Sequence, residues 1–129
     1  MILNITKYVI IYIYVFINML FSSENIQYLT LDIIYNIKDV LSINQIKFFL
    51  NNSNHFIKHS SLRCRNIYYA ILKYIYQVNM DEEIKNSVKV SLLNGLADSD
   101  EEIRNNILSI WHDSSLVDST FDLFDRVLK

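Results

Sequence analysis

Three groupings in this sequence hold residue types able to do chemistry. His55 and His59 stand one helical turn apart with Cys64 close behind, and imidazole and thiolate are ligands that zinc favours. No fourth ligand is evident, and His55 follows an Asn/Ser stretch, so solvated histidines beside a helix start are expected there rather than a metal centre. His112, Asp113 and Ser114 are the residue types of a hydrolytic triad. Three adjacent residues do not form that relay, which depends on spatial arrangement. A histidine there suits the negative end of a helix dipole instead. Arg63, Arg65 and Lys73 lie near Tyr68 and Tyr69, a mixture of cations and rings that single-strand binders use. Three cations make a thin patch, and no direct nucleic-acid site is expected. The chain is therefore expected to carry no catalytic, cofactor-binding or metal-binding residues.

The elements that hold these residues follow from composition. The 129 residues include no proline and one glycine, Gly95, where average usage gives roughly 6 and 9. The usual residues of tight β-turns are nearly missing, which favours long helices joined by polar turns. A phosphate-cradling loop needs several glycines, so an ATP site is excluded on the same count. The net charge is −2. Residues 1–80 carry seven Lys/Arg against three Asp/Glu, whereas 81–129 carry five against eleven. Neither half has the basic excess of a dedicated nucleic-acid surface. The lone cysteine, Cys64, has no internal partner for a disulfide, and a reducing compartment suits it.

Residues 1–23 stand apart from 24–129. The run Tyr8 to Phe21 is apolar and uncharged, with Lys7 before it and Ser22, Ser23 and Glu24 after it. It is short of the roughly 20 residues that span hydrocarbon. A signal or anchor, a buried helix and an artefactual start are the three readings of it, and a membrane role is disfavoured.

Beyond it, Leu29, Ile33, Ile37, Val40 and Leu41 recur at helical spacing with Ile34 widening the stripe, as on a core-facing helix. Ile43, Ile46, Phe49 and Leu50 form a second set, and Asn51 to Asn54 read as a loop. Leu62 to Val78 places Ile67, Ile71, Leu72 and Ile75 on one face, which Tyr68, Tyr69, Tyr74 and Tyr76 broaden or flank. Asp81, Glu82 and Glu83 open a further helix, where acids suit the positive end of the dipole. Its stripe is Val88, Leu92, Leu93 and Leu96, with Gly95 near its end. Asp98-Ser99-Asp100 is a turn with N-cap chemistry, and Ile103, Ile107, Ile110 and Trp111 line the last helix. Two such helices on so short a turn are expected to pack antiparallel, with more helices stacked on both sides.

Leu96-Ala97-Asp98, the acidic turn and Glu102-Ile103-Arg104 resemble a HEAT repeat. The fold expected is all-α, a HEAT-like α-solenoid fragment of antiparallel helical hairpins. The resemblance implies structural roles for Gly95, Asp98, Arg104 and Trp111. Asp98 would cap the second helix, Arg104 would bond a neighbouring turn in a polar ladder, and Trp111 would anchor the hairpin core.

Residues 62–129 also resemble the DNA-dependent protein kinase catalytic-subunit family, in its helical-repeat region. Cys64-Arg65, Tyr69, Ile71-Leu72 and Ile75 carry the likeness, with Gly95-Leu96, Asp98, Trp111, Leu116, Thr120 and Asp122 continuing it. The resemblance implies a non-catalytic scaffold piece of a nuclear serine/threonine kinase that acts in double-strand break repair by non-homologous end joining. The partners implied are neighbouring helical repeats, with the Ku heterodimer and DNA ends reached only through the whole protein. No kinase residue maps onto this chain, and no cofactor is implied. The alternatives are a small membrane-anchored or secreted helical protein, through residues 1–21, and a free-standing HEAT-type binding module. The latter would use the acidic face from Asp98 to Glu102.

Overall fold

The computed structural model describes Phe16, Asn18, Met19, residues 21–78 and residues 81–113, with side chains through Ile110. Five α-helices run along residues 24–113: α1 (Glu24–Ile37), α2 (Ile43–Ser53), α3 (Leu62–Val78), α4 (Glu82–Leu93) and α5 (Glu101–Asp113). Short 3-10 segments follow three of them, Lys38–Val40, Asn54–Lys58 and Asn94–Ala97. No strand occurs among the described residues. The protein is all-α, as the missing turn formers indicated. Most of the apolar run 8–21, the side chains of Trp111, His112 and Asp113, and residues 114–129 lie outside the described residues.

Local chemistry fixes the helix starts. Ser42 and Gln45 form a capping box: the Gln45 amide donates to Ser42 Oγ (3.2 Å) and the Ser42 amide to Gln45 Oε1 (2.9 Å). Two of the four orphan N–H groups of α2 are satisfied that way. Asp81 caps α4 by accepting the Ile84 amide at 3.0 Å. The acids expected to open this helix do so.

The core is organised around α3, which buries Cys64, Tyr68, Tyr69, Ile71, Leu72 and Ile75. Helices α1 and α4 pack closely on it, while α5 leans on the Asn94–Ala97 segment and more lightly on α3. Rings fill one end: Phe49 and Phe56 lie 5.8 and 5.7 Å from Tyr68, in the tilted geometry aromatic quadrupoles prefer. Tyr68 and Tyr69 thus broaden the stripe as core residues.

Two expectations need correction. Leu29, Ile33 and Val40 are 55, 52 and 73 % exposed, whereas Ile34 of the expected stripe is buried, together with Leu31 and Thr30. Thr30 can be inside because its hydroxyl donates to the Ile26 carbonyl at 2.7 Å, which satisfies the polar group. Of the expected stripe Ile34 is in the core and Leu41 packs against it, while Leu29, Ile33 and Val40 face outward. Residues 51–53 are not a loop but the last turn of α2, followed directly by a 3-10 turn. Asn52 donates to the Phe48 carbonyl, and fully buried Ser53 bonds the Phe49 carbonyl at 2.6 Å. These short polar side chains turn back on the helix backbone instead of ending it.

Candidate functional site: a polar ladder across the turns

The turns before α3 and α5 are built from the same bonds, displaced by about 39 residues, near the repeat length of HEAT-type proteins. Before α3, the His59 amide donates to the Phe56 carbonyl (3.2 Å) and the Ser61 amide to His59 Nδ1 (2.9 Å). The Cys64 amide reaches Ser61 Oγ at 3.4 Å, and Arg65 Nη1 donates to the His59 carbonyl at 2.9 Å. Before α5, the Asp98 amide donates to the Gly95 carbonyl (3.3 Å) and the Asp100 amide to Asp98 Oδ1 (2.8 Å). The Ile103 amide reaches Asp100 Oδ2 at 3.1 Å, and Arg104 Nη1 donates to the Asp98 carbonyl at 2.7 Å. His59 matches Asp98, Ser61 matches Asp100, and Arg65 matches Arg104. Ahead of α1 the series has a partial member, since the Ser22 amide donates to the Met19 carbonyl and Gln27 Nε2 to the Ser22 carbonyl.

Rungs join one turn to the next. Arg65 donates from Nε to Asp98 Oδ2 (3.0 Å) and from Nη2 to Asp98 Oδ1 (3.3 Å), the forked geometry suited to a carboxylate. The Asp98 side chain is 4 % exposed and that of Arg65 is 13 %. A charge so shielded is costly unless paired, and both carboxylate oxygens here are occupied. The preceding rung is neutral: His59 Nε2 lies 2.6 Å from Gln27 Oε1. His59 Nδ1 accepts the Ser61 amide, so the proton sits on Nε2 and donates to Gln27.

Gly95 makes the second turn possible by its size. It has no positive φ, yet a Cβ there would stand 2.5 Å from Ile107 Cγ1 and 3.3 Å from Tyr69 Cε1. A side chain there would have to displace Ile107 for the turn to seat between α3 and α5. Tyr69 lies beside the buried ion pair, and burial, with the Asp98 charge adding, pushes its phenol up to about 12.

A second polar joint faces solvent. Arg63 grips Glu24 through Nε and Nη2, both at 2.6 Å, while Ser61 Oγ donates to the same carboxylate at 2.7 Å. The Arg63 guanidinium also covers the Tyr28 ring at 4.3 Å, a cation–π contact. Arg63 first, then Ser61, holds the Glu24 carboxyl down at about 2. Burial raises the Cys64 thiol, which leaves it short of the thiolate that does nucleophilic chemistry.

The residues singled out from sequence are placed as follows. Gly95, Asp98 and Arg104 meet in one turn. The α5 cap is Asp100, two residues past the Asp98 expected to supply it, because Asp98 is turned toward Arg65. Arg104 bonds its own turn rather than a neighbouring one. The inter-turn arginine is Arg65, one repeat earlier. Trp111 is outside the described side chains. Gln27, His59 and Arg65 were missed as rungs, although a signal existed: His59-Ser60-Ser61 with Arg65 parallels Asp98-Ser99-Asp100 with Arg104. His59 spends both ring nitrogens on the ladder, and His55 stacks on Phe21 at 5.1 Å. No cluster of three His, Cys, Asp or Glu side chains gathers among the described residues.

An all-α chain with a turn chemistry that recurs along it needs a family of matching length, and one matches from residue 8 to residue 129, described as DNA-PKcs, CC5. The chain belongs to that family. It is 31% identical over 111 residues to the DNA-dependent protein kinase catalytic subunit of Gallus gallus. The match covers 79% of this chain and 3% of that protein, so the chain spans a small part of its relative's length. No solved structure matches. No helix among the described residues is long and apolar enough to cross a membrane.

Proposed function

We propose that this chain is a non-catalytic scaffold segment, a HEAT-like α-solenoid piece of a nuclear kinase of the DNA-dependent protein kinase type. The observation that carries this reading is the repeated turn with its two rungs, Gln27 to His59 and Arg65 to Asp98. Bonds of that kind fix each helix against the next and can continue indefinitely, which is how a solenoid holds distant parts in register. Supporting it, α1 presents Ile26, Leu29 and Ile33 outward at 42, 55 and 52 % exposure, a face suited to another helical repeat. The family match takes in residues 8–21, so the apolar run belongs to the matched stretch. Residues 24–129 are then repeat units, with Gly95, Asp98, Arg104 and Trp111 as structural residues.

On this reading the whole protein acts in non-homologous end joining, and this segment meets Ku and DNA ends only through it. The test is the genomic sequence on both sides of the reading frame. Continuation into helical repeats and a kinase domain is expected; a promoter, start codon and stop codon bounding these 129 residues would overturn the reading.

A further inference from the structure

Asn94 precedes the single glycine of the chain, so it alone among the asparagines is followed by glycine. An asparagine–glycine pair can react with itself. The glycine nitrogen has no neighbouring side chain to block its approach to the asparagine side-chain carbonyl, and glycine adopts the backbone conformations that approach requires. Packing nevertheless favours glycine here, because a Cβ at position 95 would stand 2.5 Å from Ile107 Cγ1 and 3.3 Å from Tyr69 Cε1. The matched position in the earlier turn, 39 residues back, is Phe56. Of the two joints, the second therefore carries this chemistry and the first does not.

The fold holds the reaction back in two ways. Asn94 has helical dihedrals, φ −63° and ψ −25°, and its side-chain amide donates to the Val90 carbonyl at 3.1 Å. Bringing Asn94 Cγ onto the Gly95 nitrogen turns ψ out of the helical well. Everything after that bond then moves, including the Asp98 carboxylate that Arg65 grips at 3.0 Å.

We propose that Asn94 is a site of spontaneous deamidation whose rate is governed by opening of the Arg65–Asp98 joint. The Gly95 nitrogen attacks Asn94 Cγ, and the new C–N bond closes a five-membered imide as the bond from Cγ to Nδ2 breaks. The proton lost by the Gly95 nitrogen departs with Nδ2 as ammonia. Water then opens the imide at either carbonyl, giving aspartate or isoaspartate, and no oxidant or cofactor takes part. Isoaspartate routes the main chain through the side-chain carbon, one methylene longer, into a seat too tight for a Cβ. Aspartate loses the donor to Val90 and puts a carboxylate at the negative end of α4. Either product opposes reclosing, so each event is one-way and the joint's stability sets the working life of the segment. A local opening equilibrium multiplies directly into the rate when reclosing outpaces the chemistry. The reaction needs water and no partner, and so stands apart from the scaffold reading.

The experiment ages the 129-residue chain in mildly alkaline buffer, native and in urea, and maps aspartate and isoaspartate by electron-transfer mass spectrometry. In urea, Asn94 is expected to convert faster than every other asparagine. In the native chain its conversion should be at least about tenfold slower, the effect of about 1.4 kcal/mol of closing free energy. Arg65→Ala should restore much of the lost rate at Asn94, while Asn86, within α4 and followed by serine, stays slow. Arg65→Lys keeps the charge without the fork and should give a smaller rise, which decides the matter where the alanine variant does not fold. Arg63→Ala breaks only the solvent-facing joint and should leave Asn94 at the native rate. Another asparagine outpacing Asn94 in urea, or a native rate equal to that in urea, would overturn the proposal. So would an unchanged Asn94 or a parallel rise at Asn86 in Arg65→Lys, or an equal rise at Asn94 in Arg63→Ala.

Discussion

Arg63 and Arg65 sit one residue apart at the start of α3 and reach opposite neighbours. Arg63 turns back to Glu24 at the head of α1; Arg65 turns forward to Asp98 in the turn before α5. The backward pair is the shorter, 2.6 Å against 3.0 Å, yet its side chains are 47 and 39 % exposed against 13 and 4 %. Distance and consequence therefore part company. Water competes with the backward pair in every state of the chain, so losing it costs little. The forward pair is shielded, and losing one member strands the other away from water.

The sharpest way to break that contrast is Arg65→Ala. It leaves Asp98 buried without its fork and is expected to cost about 3 kcal/mol, read from urea denaturation at neutral pH. A double-mutant cycle with Asp98→Asn should show strong coupling. Additive losses would mean that the forward joint is no stronger than the backward one. Gly95→Ala tests the packing that shields it. The added Cβ would meet Ile107 at 2.5 Å, and overpacking of this kind costs about 1–3 kcal/mol; an unchanged denaturation midpoint would show that α5 has room to move.

Two titrations extend the comparison. The Tyr69 phenol, at about 12 against an ordinary 10.0, keeps its proton longer folded than unfolded. Stability should thus be full below pH 10 and drain away as pH rises toward 12. Tyrosinate absorbance should follow unfolding there, and Tyr69→Phe should flatten the profile. The smallest effect belongs to Arg63→Ala. Glu24 is depressed to about 2 from 4.5, so its contribution is present above pH 4.5 and lost as pH falls toward 2. The variant should raise Glu24 from about 2 part of the way toward 4.5 by NMR titration, Ser61 still holding it down, while leaving neutral-pH stability close to that of the native chain.

The helices could be read from the sequence wherever periodicity and capping agreed. Leu62–Val78 and the acid-opened start of α4 followed from apolar spacing and charge placement. The face of α1 was read only in part: Ile34 was counted, but Thr30 hides its hydroxyl in its own helix and the stripe counted from Leu29 ignored it. The end of α2 was lost for the same reason, since Asn52 and Ser53 look like loop residues until their bonds to the helix backbone are seen. In the ladder, Gly95, Asp98 and Arg104 stood out because they lie within ten residues of one another. Arg65 did not, because its partner is 33 residues away and only tertiary structure brings such residues together. Repetition was the missing clue: two turns with matched residues 39 positions apart, one ending in histidine chemistry and one in aspartate, conceal their likeness from any search by residue identity.

The neutral rung between Gln27 and His59 limits the order in which this ladder can evolve. His59→Asp alone keeps the turn, since one oxygen takes over the Ser61 amide as Asp98 takes the Asp100 amide, and Gln27 keeps its bond to the Ser22 carbonyl. Gln27→Arg alone is not tolerated: it aims a donor-only guanidinium at an Nε2 that already carries the proton, because Nδ1 is committed to Ser61. Conversion of a glutamine–histidine rung into an arginine–aspartate rung must therefore begin in the turn and finish in the helix. The single variants should rank in that order by thermal denaturation, His59→Asp above Gln27→Arg. Descendants of this chain would reach a charged ladder by one path and stall on the other.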